Sequence, residues 1–302
     1  MVKLEATQLV PPLDLLRAYA VTAEQFTEHG YGFLHEFLVK RARLQPNEKV
    51  LDLGCGPGHH ARALVEYLTI DGSFDGLDIS QSSISYCQSA YAEFQNFAFQ
   101  HADIFNAHYN PTSTLRQADY RLPYDDNRFD LVYAVSLFTH LMPDDTVAYF
   151  REIRRVLKPS GRFAASFFLL TEEALSNLSN PAHPTLFRFP YEHGNIRVMS
   201  LNDLSEAVAY PELWIRRILN ENGFRVVETT YGTWSGERDL LQALQDIVMA
   251  VPRINAARAA STSLLSTIAQ ATIAAMRSMR LSLKASWDGR RRKTLKQVSE
   301  KL

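Results

Sequence analysis

The first residues whose types and spacing suggest chemistry lie at 48–58, Glu-Lys-Val-Leu-Asp-Leu-Gly-Cys-Gly-Pro-Gly, where an apolar run ends in Asp52 and glycines recur at 54, 56 and 58. A glycine turn leading into a helix offers backbone N–H groups and a helix N-terminus, and both attract anions. Asp52 would repel a pyrophosphate there, whereas it would attract an ammonium group directly or through water. The spacing also departs from Gly-x-Gly-x-x-Gly, because the third glycine is Gly58 and His59 follows it. Taken by itself the segment has a plainer reading, glycines that serve only a tight strand-to-helix turn.

Further acids fall at the ends of apolar runs. Phe74 to Ile79 closes on Asp78, 20 residues past Gly58, the spacing at which a nucleotide-binding βαβ unit sets a carboxylate on ribose hydroxyls. A third run, 96–101, leads into Asp103 and Ile104, an acid for an exocyclic amine beside an aliphatic surface for a purine face. The fourth, Phe129 to Val135, opens into Ser136-Leu137-Phe138-Thr139-His140-Leu141.

With these residues in view, the chain resembles the class I S-adenosylmethionine-dependent methyltransferases, of the broad type 11/12/25 domain. The resemblance rests on 50–58, Asp78-Ile79, Ala102-Asp103-Ile104, 128–132 and Glu152 to Arg162, and spans roughly 45–170. It implies S-adenosylmethionine as cofactor and S-adenosylhomocysteine as product. It further implies a binding set of Asp52, Gly54, Cys55, Gly56, Pro57, Gly58, Asp78, Ile79, Asp103, Ile104 and Ser136, with Asp78 on the ribose and Asp103-Ile104 at the adenine.

Such residues need a frame that brings strand ends together. Alternating apolar strands and amphipathic helices predict an α/β, Rossmann-like doubly wound sheet, which binds ligands beyond the carboxyl ends of its strands. Pro143, Asp144 and Asp145 open a helix expected over 143–157, a fifth strand follows at 162–169, a helix at about 211–222, and strands near 224–230 and 243–250. By the resemblance the seven strands take the order 3-2-1-4-5-7-6. The domain expected over 45–250 carries an insertion at about 171–210, read as a cap over the acceptor pocket. It is preceded by an N-terminal helical lid, 1–44, with Leu13, Leu16, Tyr19 and Phe26 at helical spacing. The long connection 105–124 is a third candidate for substrate contact.

Methyl transfer to an oxygen requires alignment and removal of a proton. His140, in the loop after the fourth strand, is the expected base; the alternative is a structural histidine that caps the following helix. No metal is expected.

Composition sets the remaining limits. With 302 residues, 46% of them hydrophobic, the chain can bury a full core, and two cysteines provide neither a disulfide framework nor metal spacing. A reducing cytoplasm is expected, since no secretory leader or membrane-length apolar stretch is visible. The net charge of -1 divides unevenly. Residues 251–302 hold 11 Lys and Arg against Asp288 and Glu300, net +9, which leaves -10 for the first 250. That basic tail, with a helical stripe at Leu265, Ile268, Met276, Met279 and Leu283, suits peripheral membrane or protein contact. An acidic body and the absence of an Asn-Pro-Pro-Tyr motif argue against a nucleic-acid substrate. The expected acceptor is a hydroxyl of a sugar, glycan or other small molecule. A non-catalytic S-adenosylmethionine-binding module and an NAD-dependent oxidoreductase are the alternatives.

Overall fold

The computed structural model describes residues 9–19, 21–106, 109–236 and 244–253. The basic tail expected at 251–302 lies, from residue 254 on, outside the described residues. Parallel strands β1 (Lys49–Leu53), β2 (Ser73–Asp78), β3 (Phe97–His101) and β4 (Phe129–Ala134) stand in the order 3-2-1-4, followed by β5 (Leu157–Leu170). β10 (Asp246–Pro252) runs antiparallel to β5, and β9 (Phe224–Thr230) runs antiparallel to β10. The seven frame strands therefore have the expected 3-2-1-4-5-7-6 arrangement, with β10 seventh and β9 sixth.

The insertion adds more than a cap to this sheet. After α6 (Glu172–Ser179) it forms the hairpin β6 (Tyr191–His193) and β7 (Ile196–Val198), then β8 (Val208–Pro211), which pairs in parallel with Phe168–Leu170 at the end of β5. The fifth strand is longer than its apolar run suggested, mainly at its start, where Leu157 pairs with Phe129 of β4.

A parallel sheet covered on both faces needs strands that are apolar throughout, and successive side chains go to opposite faces. On β1 and β4, Leu51, Leu53, Val132 and Ala134 face one core. Against it pack α5 (Pro143–Val156) and α7 (Glu212–Glu221). Val50, Leu131 and Tyr133 face the other, with α3 (His59–Tyr67), α4 (Gln81–Ala90) and a π-helical segment, Phe33–Val39. By the same alternation Asp52 points to the face of Val50 and Tyr133. It is also paired in register with Tyr133.

The N-terminal segment forms α1 (Leu13–Ala18) and α2 (Ala23–Gly32), which runs straight into the π-helical segment. A Thr22–Gln25 capping box starts α2, each side chain bonded to the other's backbone N–H. Gly30 lets α2 approach α3 closely, because a β-carbon there would lie 2.5 Å from the His59 carbonyl oxygen. No helix among the described residues is long and apolar enough to cross a membrane.

Candidate active site

The turn after β1 is held open by backbone geometry that favours glycine. Gly54, Gly56 and Gly58 have φ of 81°, 51° and 84°. Gly54 N donates to Leu77 O at 2.8 Å, which fastens the turn to β2. Gly56 N donates to Asp78 Oδ2 at 2.7 Å, and Ser80 N donates to Asp78 Oδ1 at 2.8 Å. Burial raises the Asp78 carboxyl above its ordinary value, and the two N–H groups only partly offset this.

Around this turn lies a cavity of about 1020 Å³ lined by Gly54, Cys55, Gly56, Pro57, Asp78, Ile79, Ile104, Ser136 and His140 among others. Nine of the twelve residues expected at the site thus share one cavity wall. The other three, Asp52, Gly58 and Asp103, do not line it. Gly58 is the N-cap of α3. Its α-carbon faces the Cys87 Sγ and Tyr91 hydroxyl, each 3.2 Å from where a β-carbon would stand. Asp103 is exposed and its Oδ1 accepts from Asn110 Nδ2 at 3.0 Å, so Ala102 and Ile104 reach the cavity while the carboxylate serves the 103–110 loop. Asp52 is fully buried, with its Oδ2 3.3 Å from His60 Nδ1 and its Oδ1 unpartnered. It therefore does not reach the cavity directly. Cys55 and Cys87 are buried thiols, both pushed up by burial and neighbouring carboxylates, which makes them poor nucleophiles.

Ser136, the first residue after β4's apolar run, adopts φ of 57°, unusual for a residue with a side chain. Its N–H donates to Ser166 Oγ at 2.7 Å and its hydroxyl donates to Gln245 Oε1 at 3.1 Å, contacts that hold the bend. The chain then buries Phe138 among Phe150, Phe163 and Phe167, which anchors the short 138–140 turn. His140 Nδ1 lies 3.0 Å from the Ser205 carbonyl, an acceptor only, so Nδ1 carries the proton. Nε2 faces the Tyr109 hydroxyl at 3.5 Å. His140 does not cap α5, whose N-cap is Met142.

The segment 171–210 contributes none of the described lining residues, contrary to its reading as a cap over the pocket. It acts from behind, through Ser205 on His140 and through the Tyr210 hydroxyl, which donates to Leu141 O at 2.5 Å. The cavity is covered instead by the N-terminal segment, with Tyr19, Phe26, Phe33 and Phe37, and by Phe105, Asn106, Tyr109 and Gln117 of the long connection. A smaller cavity of about 180 Å³ adjoins it, sharing Phe33, Phe37, Val135, Ser136, Leu244 and Ile247. His60, Tyr19, Phe33 and Phe37 were not singled out as site residues from sequence. Their only signal was aromatic and histidine content at helical spacing. Among the described residues no group of three or more His, Cys, Asp or Glu is placed to hold a metal.

The residues present fit S-adenosylmethionine. The left-handed turn brings the backbone of Gly54 and Gly56 to the cavity wall, Asp78 borders the cavity, and the buried Asp52 stands behind the turn. Comparisons with known proteins agree. Residues 50–161 match the model of the methyltransferase-domain family. A sterol 24-C-methyltransferase of Gibberella zeae is 32% identical over 140 residues, 46% of this chain and 32% of that protein. An O-methyltransferase of Pyrenophora dematioidea is 27% identical over 199 residues, 63% of this chain and 59% of that protein. The chain thus spans from about a third to three fifths of the length of these relatives. The PH0226 protein of Pyrococcus horikoshii OT3 shares the fold at TM-score 0.54 and 20% identity, covering 78% of this chain and 99% of its own. With fold, turn and strand-end acids in place, the 50–161 segment defines a class I S-adenosylmethionine-dependent methyltransferase domain, and S-adenosylmethionine is its cofactor.

Proposed function

We propose that the protein methylates a hydroxyl of a small acceptor, with His140 as the base. One observation carries this reading: His140, fixed as the Nδ1–H tautomer by Ser205, lines the same cavity as the glycine turn and Asp78. The cofactor supplies a methyl group activated on a sulfonium. The chain's own tasks are to hold it through the 54–58 backbone and Asp78, to exclude water, and to take the acceptor's proton on His140 Nε2.

The cavity lies at the upper end of the usual ligand-pocket range, about 300–1,000 Å³, which leaves room for an acceptor beside the cofactor. Phe26, Phe33, Phe37, Leu141 and Ile247 give it an apolar wall. That lining favours a hydroxyl carried on a hydrocarbon body over a bare sugar. The relatives include sterol C-methyltransferases as well as an O-methyltransferase, so methylation of a carbon is the second reading. A cytoplasmic setting is part of the proposal, supported by the free buried thiols of Cys55 and Cys87.

The test uses methyl-labelled S-adenosylmethionine with three acceptor sets: apolar alcohols, sugars and unsaturated isoprenoids. Label in an ether of an apolar alcohol supports the reading. Label on carbon selects the second reading, and a sugar ether restores the glycan acceptor. Tight cofactor binding with no S-adenosylhomocysteine formed from any set would indicate a binding module instead.

A further inference from the structure

Asp52 was expected to meet the cofactor's ammonium group, yet its carboxylate is 1% exposed and stands behind the cavity wall. What stands in front of it is His60. The imidazole lines the cavity, is 13% exposed, and places Nδ1 3.3 Å from Asp52 Oδ2. A carboxylate can only accept, so Nδ1 carries the proton and Nε2 keeps the lone pair in the neutral ring. The ring is held among aromatic neighbours, with His59 nearly parallel to it at 5.3 Å. Phe33 stacks on it at 4.2 Å, and Tyr133, Asp52's partner in register, meets it edge-on at 5.5 Å.

Behind the ring the buried Tyr133 hydroxyl stands beside Asp52, so the group at the rear of the carboxylate is an uncharged one. His60 Nε2, by contrast, has no hydrogen bond among the described residues and is not one of the buried unpartnered atoms. It opens to the cavity two residues beyond Gly58. With Nδ1 bonded to the buried carboxylate, the ring presents Nε2 forward as its acceptor atom.

We propose that His60 Nε2 accepts a hydrogen bond from the α-ammonium group of the cofactor's methionine end, with Asp52 as the positioning residue that fixes the tautomer and supplies the charge. This deepens the methyltransferase reading and rests on it. The proposal assigns the discrimination between amino and deaminated ligands to His60 and assigns carboxylate recognition elsewhere.

The experiment is calorimetry on the full chain with S-adenosylhomocysteine, its deaminated analogue, its decarboxylated analogue and 5′-methylthioadenosine, which lacks the amino-acid end. Wild type should prefer S-adenosylhomocysteine over the deaminated analogue by about ten-fold or more, as expected for a charge-assisted hydrogen bond. His60→Phe, which keeps a ring against Phe33, should abolish that preference while keeping the preference over the decarboxylated analogue. His60→Gln, whose amide oxygen can accept, should restore part of it, and Asp52→Asn should reduce it. If His60→Phe and His60→Gln both retain the full preference, or lose only the preference over the decarboxylated analogue, the proposal is overturned. An equal loss for all four ligands in both His60 variants would also overturn it, since that marks a structural role. Failure of wild type to bind any of the four would instead overturn the methyltransferase reading itself.

Discussion

The ring of Tyr19 lies against the α-carbon of Gly56, so that a β-carbon at 56 would stand 3.1 Å from Tyr19 Cε1. The same tyrosine shares a hydrogen bond with Ser83 Oγ at 3.0 Å, and burial beside Asp78 raises its hydroxyl well above the ordinary value. The N-terminal segment is thereby pinned to the cofactor turn at one point, by a ring fitted to a missing side chain. Gly56→Ala should lower stability by about 1–2 kcal/mol through its left-handed backbone alone. Contact with the ring should add to that. Urea denaturation of Gly56→Ala in wild-type and Tyr19→Ala backgrounds separates the two, because only the contact part shrinks when the ring is gone. Identical costs in both backgrounds would show that the ring does not press on the turn.

Asp78 provides a second test of the turn. Both its oxygens accept backbone N–H groups of the loops that follow β1 and β2, and it also borders the cavity. Asp78→Ala should weaken S-adenosylhomocysteine binding by about 1.5–3 kcal/mol, the range for hydrogen bonds to a charged group. Calorimetry against 5′-methylthioadenosine should show the same loss, because that ligand keeps the ribose. A loss confined to S-adenosylhomocysteine would assign Asp78 to the methionine end.

These two residues also show which features were legible in sequence. Gly56 and Asp78 act through backbone conformation and strand-end position, both of which follow from local spacing, whereas the seven-strand order came with the family resemblance. Asp52 was legible as a charge but not as a buried one. Its surroundings depend on Tyr133 on the neighbouring strand, on His60 at the start of α3, and on Phe33 of the N-terminal layer, which stacks on His60; none of these follows from the residues next to Asp52 in sequence. Asp103 stays off the cavity wall for a local reason, since Asn110 Nδ2 donates to its carboxylate. The insertion 171–210 stays off it for a topological one. β8 pairs with the end of β5, and the cluster around Phe168, Phe189 and Trp234 holds the insertion away from the cavity.

The imidazole of His59 gives a prediction in pH. Burial, then the nearby His60 and His29, push it down to about 3 from an ordinary 6.5. Phe26 stacks on the ring at 4.9 Å, and its Nε2 is buried without a partner. A histidine depressed in the folded state binds its proton first in the unfolded chain. Its contribution is therefore fully present above pH 6.5 and is lost as pH falls toward about 3. His59→Phe keeps the stack and removes the titration, so its urea midpoint should decline less steeply over that window than the wild-type midpoint. Parallel declines would assign acid sensitivity to other groups.

His140 carries the prediction on which the proposed chemistry depends. With Nδ1 on Ser205, Nε2 is the ring atom turned toward the Tyr109 hydroxyl, a partner that an acceptor hydroxyl would replace, and the loop beneath it is fastened by Phe138 and Tyr210. His140→Gln should therefore keep the fold and the affinity for S-adenosylhomocysteine while kcat falls by about 10²-fold or more, the usual contribution of a positioned base. Ser205 reaches His140 through its backbone carbonyl, so a side-chain change such as Ser205→Ala should leave the tautomer intact and alter kcat much less. The contrast matters because a purely structural histidine predicts the opposite pattern. In that case His140→Gln would lower thermal stability and cofactor affinity together, and turnover at saturating ligand would stay near the wild-type value.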